Sequence, residues 1–311
     1  MAMSVITNVS SLNAQRNLSG SQNSLATSMQ RLSSGLRVNS AKDDAAGLAI
    51  AERMNAQVKG MNVAIRNAND GISLAQTAEG ALGKVGDMLQ RMRELAVQSR
   101  NATNSDGDRA NLQKEFKELQ SEIDRTVKNT AFNGKKLFDA NGTALDFQVG
   151  SNTTSNDRIT VAASVLEGSA ITAASAADAT DTTISDADIL GTVVGGWDGT
   201  NGVAIGGTSS ASTTVAGVSQ IDDAINVIDR ALDVVNDKRA TFGAVQNRFE
   251  NVIATLQVNA ENTAASRGRI MDADFAAETA NLSKAQILQQ AGTAMVSQAN
   301  QLPQQVLSLL R

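Results

Sequence analysis

A single apolar stripe in the first third of the chain constrains the fold more than any other feature. From Met54 to Ala96 every seventh residue is apolar, and further apolar residues lie three or four positions after several of these. This spacing predicts one face of a long, coiled-coil-like α-helix. A helix over 44–100 would be about 85 Å long, whereas a compact chain of 311 residues has a radius of gyration of about 20 Å. The pattern therefore predicts a rod.

Three further segments extend this pattern. Apolar residues between Leu112 and Val127 predict a second amphipathic helix, which we expect Asn133-Gly134 to end. Alternation over 145–149 and again over 159–161 predicts a β-hairpin packed on the rod. Steps of three and four then recur over 218–256 and predict another long helix.

The two chain ends also carry apolar stripes, but their other faces are polar and nearly uncharged. A solvated helix normally carries many charges, so these faces indicate a surface that is covered by a partner. Pro303, the only proline, is expected to kink or restart the last helix because it has no amide hydrogen. The residues of the two stripes are Leu18, Leu25, Leu32 and Leu36 at one end, and Leu288, Met295, Leu302 and Leu309 at the other.

Composition excludes most catalytic chemistry. The chain has no His and no Cys, which removes Ser-His-Asp and Cys-His catalysis, thiolate or imidazole metal sites and disulfides. Short acidic pairs such as Asp106/Asp108 lack the spacing of a calcium-binding loop. No apolar run is long enough to span a membrane. We therefore expect no enzyme activity, no metal, no cofactor, and neither nucleic acid nor a membrane as a partner.

Several long stretches at both ends resemble bacterial flagellin. They include the run from Arg31 (RLSSGLRVNSAKDDAAGLAIAERM), the run from Leu89 (LQRMRELAVQS) and the tail from Ile287 (ILQQAGTAMVSQANQLPQQVLSLLR). The resemblance covers about 1–150 and 216–311, whereas the centre does not match. The expected fold is mainly α: a rod of long coiled-coil-like helices from both ends with a β-hairpin, plus a small β-rich variable central domain.

The resemblance also implies a layered organisation in a flagellar filament. Both ends form an inner layer, the long helices form a rod domain around it, and the variable centre projects outward. Because the centre lies outside the apolar stripes, we expect its removal to leave polymerisation intact. The corresponding ranges are 1–43 and 271–311 for the inner layer, 44–140 and 216–270 for the rod, 141–167 for the hairpin and the transition to the centre, and 168–215 for the centre.

Partners and location follow from the same resemblance. A flagellin polymerises with itself, is exported unfolded and without a cleaved signal through the flagellar type III apparatus, and resides in the extracellular flagellum. The implied partners are other copies of the chain, hook-associated junction and cap proteins, and a flagellar export chaperone. The resemblance assigns the terminal cluster of Leu307, Leu309 and Leu310 to that chaperone and to cytosolic immune sensors, although packing in the filament core also explains these leucines.

A second set of residues matches positions through which flagellins contact the flagellin-sensing Toll-like receptor: Gln90, Arg91, Leu95 and Glu115. Arg91 and Leu95 are four residues apart and so lie on one helix face, which we place outside the main apolar stripe. The alternative is that this face contacts a neighbouring subunit, and both roles are compatible.

Two rival interpretations stay open from the sequence. A junction protein between hook and filament shares helical ends with flagellin, but the long matching runs favour flagellin. An adhesin or signalling coiled coil predicts a charged outer face at the ends, which this chain lacks.

Overall fold

Five helices account for most of the chain. The computed structural model describes residues 8–138, 144–162, 164, 166, 193, 205 and 220–309, with 220 and 302–309 described by their backbone alone. The helices are α1 (Val9–Ser34), α2 (Ala45–Arg100), α3 (Asp106–Asn129), α4 (Gln220–Met271) and α5 (Phe275–Leu309). The prediction of a mainly α chain with long helices from both ends is confirmed. Most of the predicted β-rich centre lies outside the described residues.

Two small antiparallel hairpins follow α3. Strands β1 (Ala131–Phe132) and β2 (Lys135–Lys136) pair with each other, and β3 (Leu145–Gln148) pairs with β4 (Arg158–Val161). The second pair is the predicted hairpin, with Phe147 opposite Ile159.

The expected role of Asn133-Gly134 is wrong. Helix α3 ends at Asn129, and the dipeptide forms the two-residue turn between β1 and β2. Asn133 has φ 49° and Gly134 has φ 77°. Two successive left-handed residues suit a tight hairpin turn, and Asn-Gly is the dipeptide that most readily adopts it. The same sequence signal therefore marks a hairpin rather than a helix end.

The described residues form two compact units, one from 1–59 with 259–311 and the other from 60–258. In the second unit the stripes of α2 and α4 pack together with α3 and the second hairpin around one apolar core. Phe116, Phe138 and Phe249 are its largest fully buried side chains. The first unit has a much smaller core of three buried residues, Val38, Ala51 and Met271.

Gly71 has a packing role at the centre of the larger core. A Cβ atom at this position would lie 2.6 Å from Cζ of Phe249. The ring of Phe249 in turn meets the ring of Phe147 edge-on, with centroids 5.4 Å apart. Gly71 thus gives Phe249 its place against α2.

We expect Gly71→Ala to destabilise the protein although alanine is the better helix former. The intrinsic gain of about 1 kcal/mol is outweighed by displacement of the Phe249 ring, since overpacking costs about 1–3 kcal/mol. Gly80→Ala is the matched control on the same helix, because nothing lies within 4 Å of its Cβ position. Urea unfolding should show opposite signs for the two variants. Equal stabilisation by both would contradict the packing role.

Candidate functional site

The two terminal helices pair with each other within the first unit. Two backbone hydrogen bonds bring them together. The amide of Arg37 donates to Met271 O at 2.6 Å, and the amide of Ala273 donates to Gly35 O at 2.9 Å. Gly35 ends α1 with φ 71°, a left-handed conformation that suits glycine. These contacts join the end of α1 to the start of α5, so the two helices run side by side from this point.

The face that α1 turns towards α5 repeats every seven residues. Its covered positions include Ser11, Leu18, Leu25, Ser28 and Leu32. Opposite them, α5 presents small residues at the same spacing, Ala285, Gly292 and Ala299. A Cβ atom on Gly292 would approach Leu18 Cδ1 at 3.1 Å. Small residues on one helix therefore receive the leucines of the other, as in a coiled coil.

Hydrogen bonds of Asn8 link the start of α1 to α5. The side chain of Asn8 accepts from the amide of Ser11 at 3.1 Å and so caps α1. Its Nδ2 donates to Ala299 O at 2.6 Å. In a helix that carbonyl would bond to the amide of residue 303, which is proline and has no hydrogen. Asn8 thus satisfies the carbonyl that Pro303 leaves without a helix partner.

Of the two outcomes expected at Pro303, the restart is therefore wrong, and the kink stays a prediction. Helix α5 continues through it to Leu309. The cost of proline in a helix comes partly from one lost hydrogen bond, and Asn8 replaces that bond from α1. The sequence around Pro303 does not reveal this partner, because Asn8 lies 291 residues before Ala299.

The outer faces of α1 and α5 are apolar to an unusual degree. Among the described residues, seven of the eleven exposed large apolar side chains lie on these two helices, which have 26 and 35 residues. Leu288 and Met295 of the predicted stripe are among them, at 47% and 63% exposure. Each helix carries only two charged side chains. The seven, which we call the outer apolar set, are Val9, Leu12, Met29, Phe275, Ile287, Leu288 and Met295.

The predicted stripe residues thus divide into two groups. Leu18, Leu25 and Leu32 are half-buried between the terminal helices, whereas Leu288 and Met295 are exposed, with Leu288 at the edge of an open groove between α1 and α5. Leu36 packs on the small core of the first unit. Leu302, Leu307 and Leu309 lie on α5, but their side chains and the whole of Leu310 are outside the described residues.

The second candidate surface lies where α2 meets α3. Arg91 donates from Nε to Glu115 Oε1 at 2.9 Å and from Nη1 to Glu94 Oε2 at 2.9 Å. The hydrogen bonds to Glu94 and Glu115 raise the pKa of Arg91 above its ordinary value. Arg91 and Glu115 are about half exposed, and Gln90 is exposed beside them. These three residues form an open polar patch.

Leu95 differs from the prediction because it is fully buried. The sequence places Leu95 outside the main apolar stripe of α2. In the structure α2 is covered on two sides, and Leu95 belongs to the same core as Phe116 of α3. A partner that binds Arg91 and Glu115 therefore finds no exposed leucine next to them.

Within the described residues, no group of three or more Asp and Glu side chains is placed to hold a metal ion. The described helices also include none that is long and apolar enough to cross a membrane. What the described surface does offer is paired terminal helices with an outer apolar set. These features define a structural protein that associates with further chains.

Comparison with known proteins identifies the family. Residues 5–143 match the bacterial flagellin N-terminal helical region, and residues 225–310 match the C-terminal helical region. The chain is 38% identical over 376 residues to flagellin D of Vibrio anguillarum and 35% identical over 488 residues to B-type flagellin of Pseudomonas aeruginosa, with full coverage of both chains in each case. It belongs to the bacterial flagellins, the structural subunits that polymerise into the flagellar filament.

A solved structure shares the fold. A candidate flagellar hook-associated protein from Vibrio parahaemolyticus superposes with a TM-score of 0.57 at 15% identity, covering 74% of this chain and 100% of that chain. At this identity the likeness concerns the fold alone. The sequence left a hook-associated junction protein open as an alternative, and this hook-associated protein shares the helical fold. The similarity over the full length of the chain is to flagellins.

Proposed function

We propose that this flagellin is exported unfolded through the flagellar type III apparatus and that its terminal helices complete their folding when the subunit joins the extracellular filament. In this proposal α1 and α5 belong to the inner layer, the larger helical unit forms the rod layer, and the centre projects outward. The hook-associated junction and cap proteins are its neighbours at the two ends of the filament.

The observation that carries this proposal is the outer apolar set on α1 and α5. Full burial of a leucine-sized side chain contributes about 1.5–3 kcal/mol, and within one subunit the side chains of the set are still 47–66% exposed. The small core of the first unit also gives the terminal helices little stability of their own. Neighbouring subunits that cover the set would supply the missing burial, so folding and addition would be coupled.

The polar surroundings of Arg31 also favour a partner on the surface of α1 and α5. It faces an open groove of about 930 Å³ between α1 and α5. Its guanidinium lies 4.0 Å from the carboxylate of the largely buried Glu278, while its buried Nε has no hydrogen-bond partner among the described residues. A buried donor without a partner is costly. A neighbouring chain in the groove would contact the exposed part of the Arg31 side chain, which is 32% exposed.

Hydrogen exchange tests the coupling. In the monomer we expect amides of α1 and α5 to exchange at least 100-fold faster than those of α2 near Leu82, because opening of the terminal pair exposes little apolar surface. In filaments grown from sheared seeds, the terminal amides should become as slow as the core. Equal protection of both regions in the monomer would contradict folding on assembly.

The C-terminal leucines, Leu307, Leu309 and Leu310, are proposed as the contact for the export chaperone and for cytosolic immune sensors. They follow the outer apolar set along the same chain segment. A chaperone that covers this segment would prevent premature association of the apolar surface in the cell. Packing in the filament core uses the same residues after export.

We further propose that the flagellin-sensing Toll-like receptor binds the polar patch of Gln90, Arg91 and Glu115. Arginine is enriched among residues that dominate binding at protein interfaces. Here the guanidinium is already oriented by two carboxylates, so little side-chain entropy is lost on binding. Because Leu95 is buried, the polar pair carries this contact.

Replacement of Arg91 by alanine should weaken receptor activation by about 10–100-fold, the range for loss of a dominant interface arginine. Arg93→Ala is the matched control. Arg93 is equally exposed on the same helix, but it pairs with Asp229 of α4. A receptor-driven reporter assay with monomeric protein measures both variants. Equal responses to the two substitutions would contradict the proposed patch.

A further inference from the structure

Two residues of the central segment are anchored in the larger core. Val193 and Ile205 are both fully buried and belong to the core that contains Leu95 and Phe116. Ile205 is held by both of its backbone groups. Ser99 Oγ donates to Ile205 O at 2.6 Å, and the amide of Ile205 donates to Gln113 Oε1 at 2.7 Å. Ile205 is therefore hydrogen-bonded to both α2 and α3.

The second anchor uses the same kind of contact. Gln120 Nε2 on α3 donates to Val193 O at 2.5 Å. Gln120 is 2% exposed and Ser99 is fully buried. Buried polar side chains destabilise a core unless they are hydrogen-bonded. Ser99 and Gln120 are therefore suited to a core only when a backbone from elsewhere in the chain lies against them.

We infer that the α2–α3 face is a docking surface that binds the backbone of the central segment. Ser99, Gln113 and Gln120 contact peptide groups, which every residue carries, while the core accepts one aliphatic side chain at each anchor. The surface therefore selects one aliphatic residue at each anchor and makes no further demand on its sequence. Central segments of different sequence can occupy it.

This docking also closes the face on which Leu95 lies. Ser99 is one helical turn after Leu95, so the two side chains share a face of α2. Ile205, which is bound to Ser99, belongs to the same core as Leu95. Release of the anchors exposes Leu95 next to Arg91, and docking keeps it covered.

Exchange of the Ile205 amide in the full-length monomer tests the docking. In the wild-type protein this amide should be protected. Ser99→Ala and Gln113→Leu should each accelerate its exchange by about 10-fold, the effect of losing one buried hydrogen bond. Gln113→Glu keeps the accepting oxygen and should retain protection. Ser121→Ala is the matched control, because Ser121 is exposed and donates only to Lys117 O in its own helix.

A cysteine probe provides an independent measurement. The chain has no Cys, so Leu95→Cys creates a single thiol. Its labelling should accelerate at least 10-fold when Ser99→Ala and Gln113→Leu are added, while circular dichroism shows unchanged helix content. An unprotected Ile205 amide in the wild type would overturn the inference. So would labelling that is equally fast in the presence of Ser121→Ala and of the two anchor substitutions.

Discussion

Cutting the chain after Gln286 is expected to eliminate filament growth and leave the main unfolding transition of the monomer nearly unchanged. The cut removes Ile287, Leu288 and Met295 of the outer apolar set, together with Ala299, which binds Asn8. The larger core lies between Ala68 and Phe249 and includes no residue of α5. Assembly and the stability of the rod therefore depend on different parts of the chain.

Two measurements separate these effects. Sedimentation after seeding with sheared filaments reports growth, and thermal melting followed by circular dichroism reports the monomer. The truncated protein should stay in the supernatant at every concentration at which the intact protein sediments. A large drop in the melting temperature of the truncated monomer would show that α5 stabilises the rod, and the division between assembly and core would then be incorrect.

Phe249→Ala should lower the stability of the monomer more than Gly71→Ala or Phe275→Ala does. The ring is fully buried, lies against Gly71 of α2 and meets Phe147 of β3 edge-on. Its loss leaves a cavity where α4, α2 and the hairpin meet. Such substitutions lower the free energy of unfolding by about 3–5 kcal/mol. Urea denaturation with a constant slope measures the change.

Phe275→Ala is the matched control for this cavity. Phe275 begins α5 and is 57% exposed. Its truncation removes a similar side chain without opening the core, so the change should lie within about 0.5 kcal/mol. It should instead weaken filament growth, because Phe275 belongs to the outer apolar set. A larger loss of monomer stability for Phe275→Ala than for Phe249→Ala would contradict the assignment of the core.

The sequence predicts the helices and the second hairpin well because their signals are local. Steps of three and four along α2 and α4 persist over many turns, and the alternation around Phe147 is regular. Periodicity also shows which face is apolar. It does not show how many elements cover a helix, and for this reason the sequence places Leu95 outside the main apolar stripe although Leu95 lies in the same core as Phe116 of α3.

Features that depend on distant partners could not be predicted from the sequence. Pro303 predicts a break in an isolated helix, but Asn8 supplies the missing bond from the other end of the chain. Val193 and Ile205 give no periodic signal, and their contacts with Gln120 and Ser99 span 73 and 106 residues. The prediction that filaments form without 168–215 stays a prediction. Such a deletion also removes Val193 and Ile205 from the larger core.

Seeded growth of a variant with Leu288→Asp and Met295→Asp tests the central claim most directly, namely that the outer apolar set of α1 and α5 is the assembly surface. Both side chains are exposed in the monomer, so its melting curve should not change. Each leucine-sized contact is worth about 1.5–3 kcal/mol, and their joint loss should reduce elongation by more than about 100-fold. The matched variant with Leu288→Met and Met295→Leu should grow normally. Normal elongation of the aspartate variant would contradict the account.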